Sequence, residues 1–415
     1  MINRIETLFA GGPIRRDALQ IYVIQGISLG LGLAGSIIVA RTLGPAKKGI
    51  FDLFSLLSSF ILDFGLLGFG SGLLYYLANK GWPLCEVHGT GFVFSILAGI
   101  PTVLIGWLGL RFWVAIFPGL DVWVILLPFL LSTVTYYRLI WTNIMTGINR
   151  AVATYRIGFY FTVCNVTVIF SLWKLDWLDL DRIVALTVLL TLLNGIVAFF
   201  VLFRQEPRLR PSIPLARESL KYGLVIYVGF IANVLHFKVD QVMINYWLGT
   251  DAVGIYAVSA RWAEVLFILD TAIISAALYK ISSASAKESY ALTRRLFKVQ
   301  LLISSGSGIL LGVLAYPLIF TLYGEPYSDA IWPLVLLIPG VVFWSAGKVL
   351  SQYLSYNRGK FWLPTLFSIF GVCINIILNF MLINKFGIGG AAVASTISYG
   401  CVILLTIIAY KRQVA

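Results

Sequence analysis

Four charged residues lie inside two adjacent apolar segments in the second half of the chain: Lys238, Asp240, Arg261 and Glu264. A charge at the bilayer centre costs about 2.5–3.5 kcal/mol on insertion scales, so such residues usually face a cavity or a partner. A helical rise of about 1.5 Å per residue places Lys238 and Arg261 each about 15 Å from the ends at which the segments meet. The two bases could bind a common anion, or the four charges could form a neutral set that joins two helices.

Other ionisable residues lie within further apolar segments. Burial disfavours the charged form of a carboxylate, so an acid at membrane depth is a candidate for binding H⁺ or Na⁺, or for pairing with a base. The candidates are Asp63, Asp240, Glu264 and Asp270. Arg138 and Lys348 are near the inner ends of their segments, where a long side chain can reach the surface or line a cleft.

Neither histidine nor cysteine forms a pattern that binds a metal. His88 and His236 do not cluster with acids or cysteines, and the four cysteines show no metal-ligand or paired spacing. The sequence therefore predicts no metal site, no cofactor and no catalytic residue.

The elements that must position these charges are membrane-spanning helices. Of the 415 residues 59% are hydrophobic and only 12% are charged, and the apolar residues form continuous blocks. A segment that spans lipid must satisfy its own backbone, and continuous rather than alternating apolar residues favour helices over a barrel. We predict an all-α membrane protein with about twelve spans, near 17–40, 50–77, 88–110, 120–146, 151–173, 182–203, 219–248, 251–280, 294–324, 330–356, 361–384 and 388–410.

The net charge of +13 does not indicate a nucleic-acid-binding protein. Most lysines and arginines fall in connecting segments on one side of the predicted membrane, as in the polar stretches 204–218 and 280–298. Cytoplasmic loops are enriched in Lys and Arg, so this side is predicted to be cytoplasmic, with both termini on it. We expect a multi-pass protein of the cell (inner, cytoplasmic) membrane.

The two halves of the chain are related. With a shift of 205 residues (249 − 44), Leu43-Gly44 aligns with Leu248-Gly249 and Gly49-Ile50 aligns with Gly254-Ile255, without a gap. Six helices per half give both copies the same orientation, which is a parallel repeat. The predicted domains are an N-terminal six-helix lobe (1–203), a cytoplasmic linker (204–218) and a C-terminal six-helix lobe (219–415). The shift places uncharged residues opposite the four charges of the second half.

Several motifs follow one another in an order typical of a known family. They are Ala40–Phe51, Leu62–Leu66, Val239–Gln241, Leu248–Tyr256, Arg261, Leu322–Glu325, Asn375–Asn379 and Phe386–Ala392. Together they resemble the polysaccharide transporters, the O-antigen-type oligosaccharide flippases of the multidrug/oligosaccharidyl-lipid/polysaccharide (MOP) superfamily. Arg261 and Asp240 occupy positions where this family commonly has an arginine and an aspartate. Lys48 departs from the family pattern, which usually has an aromatic residue there.

The resemblance implies a MATE-like, V-shaped bundle around a central cleft that opens alternately to either side. It implies transport of a polyprenyl-pyrophosphate-linked oligosaccharide from the inner to the outer leaflet for surface polysaccharide biosynthesis. The basic residues expected in the cleft are Arg261, Lys238, Arg138 and Lys348. The expected partners are this lipid-linked oligosaccharide, membrane lipids, a coupling ion (H⁺ or Na⁺) and other polysaccharide-assembly proteins, with the chain itself a monomer.

Two alternatives remain open at this point. A drug or cation exporter of the same superfamily would share the fold, although a basic cleft disfavours cationic substrates. A membrane polysaccharide polymerase or glycosyltransferase would generally need a sizeable outer loop with acids or a base. The longest predicted outer loop, around 174–181, is short and has no histidine.

Overall fold

The described residues form helices joined by short turns. The computed structural model describes residues 13–267, 281 and 284–413, and this part of the chain has no β-strand. The helices are α1 (Pro13–Gly65), α2 (Phe69–Lys80), α3 (Leu84–Leu108), α4 (Leu110–Ile116), α5 (Val122–Leu130), α6 (Ser132–Gly147), α7 (Ala151–Lys174), α8 (Leu180–Phe203), α9 (Ile213–Leu248), α10 (Thr250–Glu264), α11 (Ala286–Tyr323), α12 (Ile331–Gln352) and α13 (Trp362–Lys411). The predicted all-helical membrane fold is confirmed.

Two of these helices contain a break that divides them into two spans. α1 has 53 residues and α13 has 50, whereas one crossing takes about 20. The backbone leaves the helical region at Gly44 (φ 71°) in α1 and at Gly387 (φ 59°) in α13, a conformation that glycine adopts without strain. Both breaks fall at turns that the sequence predicted, between spans 17–40 and 50–77 and between 361–384 and 388–410.

The predicted number of twelve spans is not confirmed. Eight helices of the described residues are long and apolar enough to cross a membrane, or nine if the pair α5–α6, bent by 41°, is one span. The predicted span 50–77 is interrupted between Gly65 and Phe69. The physical reason is a close approach: a Cβ on Gly68 (φ 72°) would overlap the carbonyl oxygen of Gly223 in α9.

The described residues belong to two compact units. Unit 1 comprises described residues within 1–43, 58–110 and 123–225, and unit 2 those within 44–57, 111–122 and 226–415. In unit 1, Nδ1 of buried His88 donates to the carbonyl oxygen of Glu206 (3.2 Å), and Tyr137 donates to Nε2 (3.0 Å). The amide of Arg210 donates to the carbonyl of Cys85 (3.1 Å). The segment between α8 and α9 is thus bound to the start of α3.

In unit 2, α12 packs between α11 and α13 and is the most buried of the candidate spans. Near the end of α13, the Tyr410 hydroxyl donates to the carbonyl of Tyr290 in α11 (2.6 Å), and the two rings stack with centroids 4.4 Å apart. Although residues 44–57 and 111–122 come early in the chain, they belong to this unit. Asn245 of α9, for example, donates to the carbonyl of Pro118 (3.2 Å).

Candidate functional site

The charged residues of the second half lie on a helical hairpin. α9 ends at Leu248, the chain turns at Gly249 (φ 86°), and α10 begins at Thr250. The antiparallel course brings Asp240 of α9 beside Tyr256 of α10, whose hydroxyl donates to the Asp240 carboxylate. The hairpin thus places the Asp240 carboxylate of α9 against α10, where its partner is an uncharged tyrosine.

Asp240 is a buried carboxylate held by hydrogen bonds. Asp240 is only 3% exposed. In addition to the bond from Tyr256, its carboxylate accepts hydrogen bonds from the hydroxyl of Ser395 (3.3 Å) and from the backbone amide of Gln241 (2.8 Å). Within residues 13–267, 281 and 284–413, no salt bridge involves it. Its direct partners are hydroxyl and amide groups, which satisfy a buried carboxylate without a cation.

A buried polar network extends from Asp240 into α13. Its members are all at most 3% exposed. They are Asp240, Tyr256, Ser395, Ser398, Asn375, Asn379 and His236. Asn375 donates to Ser395 (3.2 Å) and Ser398 (3.3 Å), and Asn379 donates to Asn375 (2.9 Å). The ring of His236 lies 2.9 Å from the Ser398 hydroxyl. The network joins α9, α10 and both parts of α13 in the apolar interior of unit 2.

Arg261 is placed differently from the acids around it. Its side chain is exposed, whereas Glu264 is half-buried and Asp240 is buried. Glu264 interacts electrostatically with both Arg261 and Lys238, and Arg261 also interacts with Asp52. An exposed arginine whose neighbouring acid is more buried can bind an anionic group, while that acid partly balances its charge.

An ion pair lies near Arg261, which interacts electrostatically with its acid Asp52. Lys48 and Asp52, one turn apart in the second part of α1, form a salt bridge, and their side chains are only 6% and 16% exposed. Both residues belong to unit 2, together with Arg261. We refer to Lys48, Asp52, Lys238, Arg261 and Glu264 as the charged cluster.

The other predicted site residues are distributed as follows. The Lys348 ammonium lies over the ring of Phe267, 4.7 Å from its centroid, which is a cation–π contact within unit 2. Asp63 and Arg138 are half-buried and belong to unit 1. Asp270 lies outside the described residues. Among the residues described, no group of His, Cys, Asp or Glu could hold a metal ion.

Sequence reasoning did not assign a role to several members of this site. In the sequence Lys48 is a departure from the family pattern. The signal for its ion pair is Asp52, four residues later, because residues at i and i+4 are neighbours on a helix. Tyr256 ends one of the motifs that carry the resemblance, and Ser395 lies three residues after another, but nothing in their spacing indicates a bond to Asp240. The sequence around His236 has no metal-ligand spacing and therefore indicates no role for it. Its hydrogen-bond partner Ser398 is 162 residues away in the sequence.

The fold is that of MOP-superfamily transporters. An inward-facing multidrug resistance MATE transporter of the MOP superfamily aligns with a TM-score of 0.77 at 12% identity, over 92% of this chain and 93% of that one. The lipid II flippase MurJ, in an inward closed conformation, also aligns with a TM-score of 0.77, at 16% identity over 95% and 87%. Identities this low establish the fold alone.

Residues 38–332 match the sequence family described as "Polysaccharide biosynthesis protein". The chain belongs to this family, and the resemblance stated from its motifs is confirmed. The probable low-salt glycan biosynthesis flippase Agl15 of Haloferax volcanii is 26% identical over 46% of this chain and 41% of its own length. The uncharacterized membrane protein MJ1068 of Methanocaldococcus jannaschii is 25% identical over 45% and 38%. The matched region thus spans less than half of these two relatives.

Proposed function

We propose that this protein is a flippase that moves a polyprenyl-pyrophosphate-linked oligosaccharide from the inner to the outer leaflet for surface polysaccharide biosynthesis. The family, the transporter fold and the relative Agl15 support a role in glycan transport. The observation that carries the proposal to this chain is Arg261, whose side chain is exposed, whereas Glu264, with which it interacts, is half-buried. Such a cation suits a pyrophosphate, which guanidinium groups bind through two parallel hydrogen bonds.

In this proposal the bases meet the headgroup in a central cleft between two lobes, 1–203 and 219–415, that alternate in access. Arg261 binds the pyrophosphate, with Lys238 adding charge from the neighbouring helix. Arg138 and Lys348 contribute further positive charge along the path. The lipid tail stays in the bilayer, so only the polar headgroup has to be stabilised during the crossing.

The buried acids are proposed to couple transport to an ion gradient. Asp240 is the strongest candidate, because a proton or Na⁺ on its carboxylate would change the bonds from Tyr256 and Ser395 that join three helices. A ligand shifts a conformational equilibrium only if it binds the two states differently, and a network shared between helices offers such a difference. Glu264, Asp63 and Asp270 are further candidates.

The protein is further proposed to act in the cytoplasmic membrane, as a monomer with both termini in the cytoplasm and without catalysing a reaction. The enrichment of Lys and Arg on one side supports this orientation. A drug exporter is the second candidate, because multidrug MATE transporters share the fold. An exposed arginine disfavours a cationic drug and favours an anionic headgroup.

The test is flipping of a lipid-linked oligosaccharide in proteoliposomes, measured by protection from an added glycosidase. Arg261→Gln should slow flipping about 10- to 100-fold, the effect of losing a charged hydrogen bond, and Arg261→Lys should retain an intermediate rate. The matched control is Arg412→Gln, an exposed arginine at the end of α13, which should flip at the wild-type rate. Wild-type flipping by Arg261→Gln would exclude Arg261 as the headgroup ligand. Transport of cationic drugs but no glycolipid would favour the exporter.

A further inference from the structure

A cleft lies between the start of α1 and the start of α7, both in unit 1. Its volume is about 670 Å³, which is within the range of about 300–1,000 Å³ typical of small-molecule sites. Its polar lining residues are Asp17, Gln20, Asn149, Arg150, Arg156 and Tyr160. None of them belongs to the charged cluster or to the network of Asp240.

The two helices that line the cleft also pack against each other further along their length. At Gly35 an added Cβ would lie 3.4 Å from Val166 of α7, which is ordinary packing distance. At Gly26, Gly30 and Gly158 an added Cβ would meet nothing within 4 Å. Gln20 is 15 residues before Gly35, or about 22 Å along the helix, and at that level Arg156 of α7 reaches it through a hydrogen bond within the lining of the cleft.

The chemistry of the cleft favours an anion. Arg150 precedes the first residue of α7, and Arg156 lies one and a half turns further; both side chains are exposed. Arg156 donates to the amide oxygen of Gln20 (2.9 Å), and within the part of the chain that the structure describes no salt bridge involves either arginine. Among the described lining residues Asp17 is the one acid, so the two arginines outnumber it. The positive end of the α7 dipole adds to this potential.

The apolar lining fits a lipid rather than a free anion. Val152, Ala153 and Ile157 also line the cleft, and Tyr160, another lining residue, is 66% exposed. Both helices begin here, so the cleft lies at one end of its spans, where headgroups are found. Basic pockets between helices on the cytoplasmic side are known to bind anionic headgroups.

We propose that this cleft binds the anionic phosphate headgroup of a membrane lipid, with Arg150 and Arg156 as its ligands and the first acyl or isoprenoid carbons against Ile157. The site shares no residue with those assigned to the transport path above, and the proposal does not depend on that function. The phosphate can come from a phospholipid or from the pyrophosphate of an isoprenoid lipid. These two sources have the same binding chemistry at the arginines.

The experiment is native mass spectrometry of the purified protein in neutral detergent. The probes are phosphatidylglycerol, zwitterionic phosphatidylcholine and farnesyl pyrophosphate. Each basic residue near a lipid surface contributes to the affinity for anionic lipid. Removal of both charges in Arg150→Gln/Arg156→Gln should therefore weaken the binding of anionic lipid about thirtyfold. Arg150→Lys/Arg156→Lys, which keeps the charge, should weaken it less. The matched control is Arg208→Gln/Arg217→Gln, which removes two exposed arginines outside the cleft and should bind as wild type does.

The probes distinguish the source of the phosphate. Tight binding of phosphatidylglycerol alone identifies a phospholipid site, and tight binding of farnesyl pyrophosphate alone identifies a site for the isoprenoid lipid. Equal affinity for phosphatidylcholine and phosphatidylglycerol would overturn the proposal, as would equal losses in the cleft and control variants. If the Gln variant is unfolded by its thermal midpoint, the Lys variant decides: it must still prefer anionic over zwitterionic lipid.

Discussion

Gly49 and Gly254, which are equivalent positions of the sequence repeat (254 − 49 = 205), pack against each other reciprocally. A Cβ on Gly49 would overlap the carbonyl oxygen of Thr250 and lie 3.0 Å from the amide nitrogen of Gly254. A Cβ on Gly254 would overlap the carbonyl oxygen of Pro45 and lie 2.9 Å from the amide nitrogen of Gly49. Pro45 and Thr250 are themselves 205 positions apart, so the contact has local two-fold symmetry.

This reciprocity explains why the same short motif occurs in both halves. Each copy begins a helix directly after a glycine of positive φ, Gly44 (71°) in one and Gly249 (86°) in the other. Each also needs a residue without a side chain five positions later, where the two backbones touch. Two copies of one motif that pack about a local two-fold axis produce such a self-complementary contact.

Gly49→Ala and Gly254→Ala should each destabilise the protein by about 1–3 kcal/mol or more, the usual effect of overpacking. The atoms that the new methyl group would overlap are backbone atoms, which cannot move aside as a side chain can. The measurement is the thermal midpoint in detergent. Gly400→Ala is the matched control, because nothing lies within 4 Å of its Cβ position in α13. It should be neutral or slightly stabilising, since alanine favours a helix; an equal loss in the control would contradict the packing argument.

Lys48→Ala should destabilise unit 2 by about 3–5 kcal/mol, because it leaves the largely buried Asp52 carboxylate without its cation. The double variant Lys48→Ala/Asp52→Ala should recover much of this loss. The measurement is a double-mutant cycle of unfolding free energies. The exposed i,i+3 pair Lys221 and Glu218 is the control, and its coupling should be below about 1 kcal/mol. Equal coupling in both pairs would refute burial as the cause.

Asn375→Ala should destabilise by about 1–3 kcal/mol, because it leaves buried hydroxyl and amide groups of the network without a partner. Asn384 lies in the same helix α13, is exposed, and donates to the carbonyl of Phe380 four residues before it (3.3 Å). Asn384→Ala should therefore change stability by about 0.5 kcal/mol or less. Thermal midpoints of the two variants decide, and the prediction fails if their order is reversed.

Asp240→Asn should leave the fold intact but abolish the dependence of flipping on an imposed ion gradient. An amide can still accept from Tyr256 and Ser395, but it carries no charge to exchange with H⁺ or Na⁺. The measurement compares flipping rates in proteoliposomes with and without the gradient. Tyr256→Phe removes one hydrogen bond to Asp240 and keeps the charge, so it should reduce the rate while preserving the gradient dependence. Gradient-dependent flipping by Asp240→Asn would remove Asp240 from the coupling mechanism.

The membrane fold and the family were predictable from the sequence. Hydropathy is a sum over neighbouring residues, and it located most helices within a few residues, for example α7 (predicted 151–173, observed Ala151–Lys174). The ordered motifs, between residues 40 and 392, indicated the family that matches residues 38–332. The concentration of charge in α9 and α10 was also visible, because charges inside apolar segments are conspicuous without any knowledge of packing.

Only the tertiary structure decided which groups these charges meet. Asp240 pairs with Tyr256 and Ser395 rather than with Lys238 or Arg261, and Lys48 pairs with Asp52. The interruption between Gly65 and Phe69 likewise depends on the approach of Gly223, more than 150 residues later. The physical reason is that hydropathy depends on composition along one segment. A side chain's partner depends on the rotation and contacts of several helices, which no single segment contains.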